Sequence, residues 1–105
     1  MKQYILGIEA TLEIFGGKWK ARIICVLSSE EFMRYNELKK ILGNITDAVL
    51  SEMLRELIEN DMVDRNQYNE IPPRVEYSLT ETGQSIEPVL KALCNWGKEY
   101  LKSIT

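Results

Sequence analysis

The chain has 105 residues, of which 45% are hydrophobic and 28% charged, with a formal net charge of −3 at pH 7. This length and composition predict a single globular domain over residues 1–105 rather than a disordered tail. Two cysteines and no histidine exclude Cys/His zinc sites and histidine-dependent triads, so we expect no metal, no cofactor and no enzymatic activity.

Three short helices, separated by glycines, are predicted in the first half of the chain. They cover about Ile8–Phe15, Lys18–Leu27 and Asn36–Leu42, and the breaks fall at Gly16, Gly17 and Gly43. The start of the second helix offers free backbone N–H groups and two cations, Lys18 and Lys20, which together suit a phosphate. An ordinary solvated helix start is the alternative.

The apolar run Tyr4–Ile8 lies near the N-terminus and meets Glu9 immediately. It is too short for the apolar region of a signal peptide or for a membrane span. We therefore expect a cytoplasmic protein with no membrane partner.

The fourth helix is predicted to be amphipathic, with Thr46 as its N-cap. Its apolar residues follow one helical stripe: Val49, Leu50, Met53, Leu54 and Leu57. The opposite face carries Ala48, Ser51, Glu52 and Arg55. These side chains lie on the N-terminal half, the part of a recognition helix that contacts base edges in a major groove. Taken alone, the pattern favours an ordinary amphipathic helix with a solvated outer face, and it is the segment after the helix that changes this interpretation.

A two-stranded β-ribbon is predicted directly after this helix. The first strand covers Met62–Tyr68, prolines stiffen the tip, and the returning strand Arg74–Leu79 alternates apolar with polar residues. A recognition helix followed by a ribbon predicts a winged helix-turn-helix, an α+β and mostly helical fold. The ribbon would place Arg65 and Arg74 near the DNA backbone or minor groove. A hairpin that only covers the core is the alternative.

A long C-terminal helix is predicted from its N-cap Thr80 to about Lys102, with Pro88 bending it without ending it. Its apolar stripe is broader than a small core needs, and the first helix has a second apolar face. We therefore predict N- and C-terminal dimerisation helices that pack across a two-fold axis, with an interface formed by Ile8, Leu12, Phe15, Leu93, Trp96, Tyr100 and Leu101. Such a homodimer would place two recognition helices about 34–36 Å apart on an inverted-repeat operator.

Trp19, Trp96 and Tyr100 allow another interpretation, in which they line a pocket for an unidentified small-molecule effector. The two cysteines, Cys25 and Cys94, each fall within an apolar helical stripe. We expect them to be buried and to behave as small hydrophobes. A redox role for either is the alternative, although the nearest cations, Arg22 and Lys91, are a helical turn away and free to point into water.

The acidic character of the chain, with a pI near 5.0, counts against DNA as a partner because cations supply much of the affinity for phosphates. The charges are unevenly distributed, however. Residues 16–40 hold six Lys/Arg and three Glu, whereas residues 41–64 hold one Arg and six Asp/Glu. A local positive face is therefore compatible with the net charge. The alternative function is a dimeric winged-helix module that binds proteins and does not use DNA.

Six motifs in this order resemble the HxlR-type winged helix-turn-helix regulators of bacteria. They are Glu9-Ala10-Thr11-Leu12 with Gly16-Gly17-Lys18-Trp19-Lys20, Tyr35-Asn36-Glu37-Leu38, Leu54-Arg55-Glu56-Leu57, Pro72-Pro73-Arg74-Val75-Glu76-Tyr77-Ser78-Leu79-Thr80 and Leu93-Cys94-Asn95-Trp96-Gly97. The resemblance covers nearly the whole chain. It implies a small dimeric transcription factor, related in architecture to the MarR group, whose dimer is formed by the first and last helices.

The chain departs from similar regulators at two places. Several members sense oxidants or electrophiles through a cysteine just before the first helix, but Leu6 and Gly7 stand there in this sequence, so that mechanism is not carried over. The position of Ala48 is often basic or larger in similar proteins, so their operator is not carried over either.

The predicted DNA contacts follow from these elements. We expect Ala48 to touch a thymine methyl, Arg55 to pair with guanine and Glu52 to accept a hydrogen bond from cytosine. The complete predicted DNA-binding set is Lys18, Lys20, Arg34, Thr46, Ala48, Ser51, Glu52, Arg55, Arg65 and Arg74.

Overall fold

The computed structural model describes residues 2–105 and has the architecture of a winged helix. In chain order its elements are α1 (Lys2–Phe15), α2 (Lys20–Ser28), α3 (Tyr35–Leu42), α4 (Asp47–Glu59), β1 (Val63–Tyr68), β2 (Arg74–Leu79), α5 (Glu81–Ser85) and α6 (Glu87–Ile104). Helices α3 and α4 form the helix-turn-helix, and the antiparallel pair β1–β2 forms the wing. The predicted fold class is therefore confirmed.

Local sequence signals explain where the recognition helix and its neighbours begin and end. The hydroxyl of Thr46 accepts a hydrogen bond of 3.2 Å from the Val49 amide at the start of α4. Gly43, which ends α3, has a φ of 83°, a value that side chains rarely allow. The predicted cap at Thr46 and the predicted stop at Gly43 are both confirmed.

The apolar stripe of α4 supplies much of the core. Leu50, Leu54 and Leu57 are at most 2% exposed, and they belong to one cluster with buried residues of α2, α3 and the wing. Burying such side chains is the main favourable contribution to folding. The packing fixes which face of α4 is left for solvent, and that face carries Ala48, Ser51 and Arg55.

The wing is anchored to the core through its second strand. Its register runs from Val63 opposite Leu79 to Tyr68 opposite Arg74. Met33 extends the pairing, because its amide donates to the Tyr77 carbonyl at 2.8 Å and its carbonyl accepts from the Tyr77 amide at 2.7 Å. This isolated β-bridge, which the sequence analysis did not predict, joins the second strand of the wing to the segment between α2 and α3.

The C-terminal helix differs from the prediction of one bent helix from Thr80 to Lys102. It is two helices, α5 and α6, with a break at Ile86, and Pro88 lies in the first turn of α6. Proline has no N–H to donate, and its ring would clash with the carbonyl four residues earlier in a continuous helix. The first turn of a new helix avoids both problems. Thr80 does cap α5, because its hydroxyl accepts a hydrogen bond of 2.9 Å from the Gly83 amide.

The first two helices also differ from their predicted bounds. Helix α1 begins at Lys2 rather than at about Ile8, and α2 begins at Lys20 rather than at Lys18. None of the α1 residues, 2–15, is buried. The helix is therefore longer than its apolar pattern indicated, and its full length lies on the surface of the protomer.

The expectation that both cysteines are buried was wrong. Cys25 and Cys94 are exposed free thiols that line the same apolar groove between α2 and α6. Partial burial, with smaller contributions from Cys94 and Glu87, raises the pKa of the Cys25 thiol. Because a raised pKa disfavours the thiolate, this environment makes Cys25 a poorer nucleophile than free cysteine.

Within residues 2–105, no helix is both long enough and apolar enough to cross a membrane.

Candidate nucleic-acid interface

A polar cluster locks α4 onto α3 at the start of the recognition helix. The Tyr35 hydroxyl donates to Asp47 Oδ1 at 2.9 Å, and Lys39 Nζ lies 3.0 Å from the same oxygen. Ser51 Oγ is 3.4 Å from the Tyr35 hydroxyl. The hydrogen bond from Lys39, followed by that from Tyr35, lowers the pKa of Asp47 below its usual value. The cluster therefore keeps a charged carboxylate between the two helices at neutral pH. Its contacts hold the start of α4 in a defined orientation relative to α3.

The outer face of α4 carries an ion-pair ladder along the helix axis. Arg55 Nε donates to Glu52 Oε2 at 3.0 Å, and a second, short contact joins Arg55 Nη2 to Glu52 Oε1. Arg55 Nη1 contacts Glu59 Oε1 one turn further on. The hydrogen bond to Arg55 lowers the pKa of Glu52, and its two carboxylate partners raise the pKa of Arg55. Glu52 and Arg55 are thus charged at neutral pH, and the contacts of the ladder satisfy much of the hydrogen-bonding capacity of Arg55.

Lys20 has a different role from the predicted phosphate contact. The residue is 8% exposed, and its Nζ lies 3.4 Å from Glu56 Oε1 on the inner side of α4. A cation buried against a carboxylate is unavailable to a phosphate without breaking that pair. The expectation for Lys20 is therefore corrected: it connects the start of α2 to the C-terminal half of the recognition helix.

Lys18 and Arg34 are two exposed cations among the predicted DNA contacts outside the wing and α4. Lys18 Nζ lies 4.9 Å from the centroid of the Trp19 ring, and Arg22 Cζ lies 5.2 Å from the same centroid. The backbone amide of Arg34 is used in a 3.1 Å hydrogen bond to Glu37. Among the ion pairs of residues 2–105, neither Lys18 nor Arg34 takes part, so both charges are available to an anion.

The two wing arginines differ in how far their charge is satisfied. Arg74 lies 3.2 Å from Glu70, 3.7 Å from the buried Glu76 and 4.3 Å from the Tyr68 ring centroid. Arg65 makes only a 3.3 Å hydrogen bond to Gln67 among the described side chains. Most of the Arg74 charge is therefore used within the hairpin, and Arg65 is the wing cation better placed to meet a phosphate.

The groove between α4 and the wing brings several predicted residues together. Ser51 and Arg55 of α4 line it with Arg65 of the wing, across from Tyr77. Thr46, Ala48 and Glu52 are exposed on the same N-terminal half of α4. A helix and an adjacent ribbon that share one groove can straddle a duplex, the helix in the major groove and the ribbon on the backbone.

A second surface of the molecule is apolar and lies on α1 and α6. Ile8 and Leu12 are 44% and 61% exposed, and Leu93 and Trp96 are 61% and 68% exposed. Tyr100 and Leu101 continue this surface, whereas Phe15 is only partly exposed and packs on the core. Large exposed apolar surfaces of this kind mark interaction sites in folded proteins.

The three aromatic residues considered for an effector pocket lie in two environments. Trp96 and Tyr100 stack with ring centroids 5.3 Å apart on the exposed side of α6, and Trp19 is held between Lys18 and Arg22. The groove that contains Cys25 and Cys94 is lined by none of them. In the described part of the chain, residues 2–105, no cluster of three acidic or cysteine side chains could hold a metal ion.

The sequence analysis missed Tyr35, Lys39, Asp47 and Glu59 as residues of this site. A signal for Glu59 was present, because acidic residues stand three before and four after Arg55, the spacing that places side chains together on a helix. No comparable signal exists for Tyr35 and Asp47, whose contact depends on the angle between two helices.

Comparisons with known proteins agree with this geometry. A model of the HxlR-like helix-turn-helix family matches residues 14–105. The chain is 44% identical over 103 residues to YtcD, an uncharacterised HTH-type transcriptional regulator of Bacillus subtilis, covering 98% of this chain and 81% of the relative. It is 46% identical over 100 residues to another such regulator of the same organism, YkvN, covering 95% and 84%.

Solved structures give the same result. The redox regulator HypR in its reduced form superposes with a TM-score of 0.88 at 37% identity, covering 93% of this chain and 96% of that chain. The crystal structure of YtcD superposes with a TM-score of 0.86 at 43% identity, covering 90% and 96%. The matched family and these relatives are transcriptional regulators rather than enzymes.

Proposed function

The chain belongs to the HxlR-like helix-turn-helix family of DNA-binding transcriptional regulators, and from this premise we propose that it binds a specific inverted-repeat operator as a homodimer in the cytoplasm. The observation that carries the proposal is the exposed N-terminal half of α4 beside the wing. Its side chains are short or hydrogen-bonding, and the core packing of Leu50, Leu54 and Leu57 keeps that face outward. These are the properties that base readout in a major groove requires.

Positioning on the duplex is assigned to exposed cations around α4. Lys18 precedes α2 and Arg34 precedes α3, and Arg65 lies on the wing and lines the groove beside α4. Neutralising phosphates with such residues makes affinity fall with salt, and the fall is steeper for each additional contact. The negative net charge of −3 limits non-specific attraction, so contacts to bases must supply the preference for one sequence.

The dimer is supported by the apolar surface on α1 and α6. A 14-residue helix with no buried residue would gain little by folding on its own, because most helix stability in proteins comes from packing an apolar face. A second copy that covers α1 and α6 would remove this surface from water. Two-fold symmetry would then set the spacing of the two α4 helices and the inverted repeat of the operator.

DNA binding is tested by fluorescence anisotropy with the duplex upstream of the protein's own gene and a shuffled control, at two salt concentrations. We expect tighter binding to the native duplex and a steep loss of affinity as salt rises. Lys18→Ala should weaken binding to every sequence and lower the salt slope by about one unit. Lys102→Ala is the matched control, because it also removes one positive charge but lies on α6. It should leave the affinity and the salt slope unchanged.

Absence of binding to any duplex at low salt would contradict the proposal. It would favour the alternative, a dimeric winged-helix module that binds proteins, for which the acidic net charge is the supporting observation.

The dimer is tested separately by sedimentation velocity. We expect a species of twice 12.2 kDa for the wild type and a monomer for Leu93→Glu, which places a charge on the apolar surface. Ile71→Glu is the matched control, because Ile71 is fully exposed at the tip of the wing. A wild-type monomer, or a Leu93→Glu dimer as stable as that of the wild type, would contradict this interface.

A further inference from the structure

The ion-pair ladder of Glu52, Arg55 and Glu59 determines which of these side chains is free to contact a base. Arg55 has five N–H donors. Two of them form a fork on both oxygens of Glu52, and a third contacts Glu59. A bidentate contact to guanine needs two parallel donors from one edge of the guanidinium. The Nε/Nη2 edge is filled by Glu52 and one Nη1 donor is engaged by Glu59, so guanine would have to use the remaining Nη1 and Nη2 donors or displace a carboxylate.

The direction of the ladder also favours Glu52 over Arg55 as the base contact. Glu59 is the last residue of α4, so its contact draws the guanidinium toward the C-terminal end. The N-terminal half of a recognition helix is the part that reaches base edges, and Glu52 lies there. Each carboxylate oxygen has two acceptor positions, so Glu52 keeps one per oxygen free after the fork is formed.

Charge explains why Arg55 must stay with Glu52 when α4 meets DNA. A single carboxylate in a groove is repelled by the phosphates on both sides, and this repulsion is weakened when a cation is paired with it. The hydrogen bond from Arg55 lowers the pKa of Glu52, so the side chain remains an acceptor without a proton to donate. An acceptor-only group suits the N4 amino group of cytosine, whereas adenine places the N7 acceptor next to its amino group.

On the premise that α4 binds a major groove, as proposed above, we propose that Glu52 is the specificity-determining residue and accepts a hydrogen bond from cytosine N4. Arg55 is a positioning residue that holds and neutralises the Glu52 carboxylate, and Glu59 acts through Arg55 by holding its guanidinium. This assignment replaces the prediction that Arg55 pairs with guanine.

The test is in vitro selection from a randomised duplex library with the wild type, Glu52→Gln, Arg55→Ala and Glu59→Gln. Wild type should select cytosine at one position of each half-site. Glu52→Gln should lose that preference by about tenfold or more and shift it toward adenine, which Gln can bind bidentately. Arg55→Ala should weaken preference at the same position and keep it elsewhere. Glu59→Gln should weaken that preference by less than Arg55→Ala, because glutamine still accepts a hydrogen bond from Arg55. Glu99→Gln on α6 removes an equal charge and should select the wild-type motif.

Modified bases separate the two candidate readers within one C·G pair. Pyrimidin-2-one lacks the amino group of cytosine, and it should weaken binding by the wild type but not by Glu52→Ala. 7-Deazaguanine lacks the N7 acceptor that an arginine would use, and it should have no effect on the wild type. A loss with 7-deazaguanine that Arg55→Ala abolishes would overturn the proposal and make Arg55 the reader.

Two further outcomes distinguish this proposal from the proposed function. If the wild type selects a motif and Glu52→Gln selects the same one, the inference is overturned while DNA binding stands. If the wild type selects no motif at all, sequence-specific binding is itself contradicted, and the assignment of Glu52 fails with it.

Discussion

Gly83 supports the base of the wing, and replacing it with alanine should destabilise the protein strongly. A Cβ built on Gly83 would lie 2.1 Å from the Met62 carbonyl oxygen and 3.1 Å from its carbon. Both atoms belong to the backbone, so no side-chain rotation relieves the contact. Helix α5 must move away from the turn that precedes β1 by more than about 1 Å to restore ordinary van der Waals separation.

The cost follows from the hydrogen bonds that this movement breaks. The Gly83 amide donates to Thr80 Oγ1 at 2.9 Å, and that hydroxyl donates to the Asp61 carbonyl at 2.6 Å. The Thr80 amide donates to the Met62 carbonyl at 3.1 Å. An N-cap contributes about 1 kcal/mol, each other bond contributes about 0.5–1.5 kcal/mol, and the better helix propensity of alanine offsets about 1 kcal/mol. With the strain of overpacking, we expect a net loss of about 2–4 kcal/mol.

Urea denaturation and thermal unfolding measure this loss. For a domain of about this size, 1 kcal/mol corresponds to about 4–8 °C in Tm, so Gly83→Ala should lower Tm by about 10–25 °C. Gly97→Ala in α6 is the control, because no atom lies within 4 Å of a Cβ built there. It should be neutral or slightly stabilising.

An unchanged Tm for Gly83→Ala would refute the packing argument, since the contact to Met62 would then relax without cost. An equal loss for Gly97→Ala would also refute it, because the effect would then belong to glycine replacement in general.

Three further outcomes are expected. Because partial burial raises the pKa of Cys25, iodoacetamide should alkylate Cys25 in a Cys94→Ser variant more slowly at pH 8 than it alkylates N-acetylcysteine; an equal or faster rate would contradict that environment. Because the pKa of Asp47 is lowered in the folded state, its charge contributes stability above the ordinary carboxyl pKa, and this contribution is lost as the pH falls through the folded pKa. The Tm difference between the wild type and Asp47→Asn should therefore become smaller between pH 7 and pH 3. A difference that is constant with pH would show that the Asp47 charge does not stabilise the fold. Leu57 is 0% exposed, so Leu57→Ala should lower the free energy of unfolding by about 2–5 kcal/mol. Urea denaturation measures this change, and a loss below about 1 kcal/mol would contradict its place in the core.

Pro88 shows a limit of predictions from single elements. The apolar pattern continues through it, and a proline inside a helix often bends it. With the break at Ile86, α5 is capped by Thr80 and packs against β2, whereas α6 packs against α2. Which of the two outcomes occurs depends on what each half of the segment packs against, and a local pattern does not contain that information.

The sequence by itself determined the order and type of the elements as far as Thr80, the caps at Thr46 and Thr80, most of the inward stripe of α4 and the family resemblance. These features depend on residues close together in the chain, because helical and strand periods are set by local backbone geometry. The tertiary structure alone decided the partners of charges that lie on different elements. Lys20 is buried against Glu56, and Tyr35 and Lys39 both contact Asp47. Such an ion pair forms wherever packing brings two distant side chains within reach, and the spacing of neither residue in the sequence indicates it.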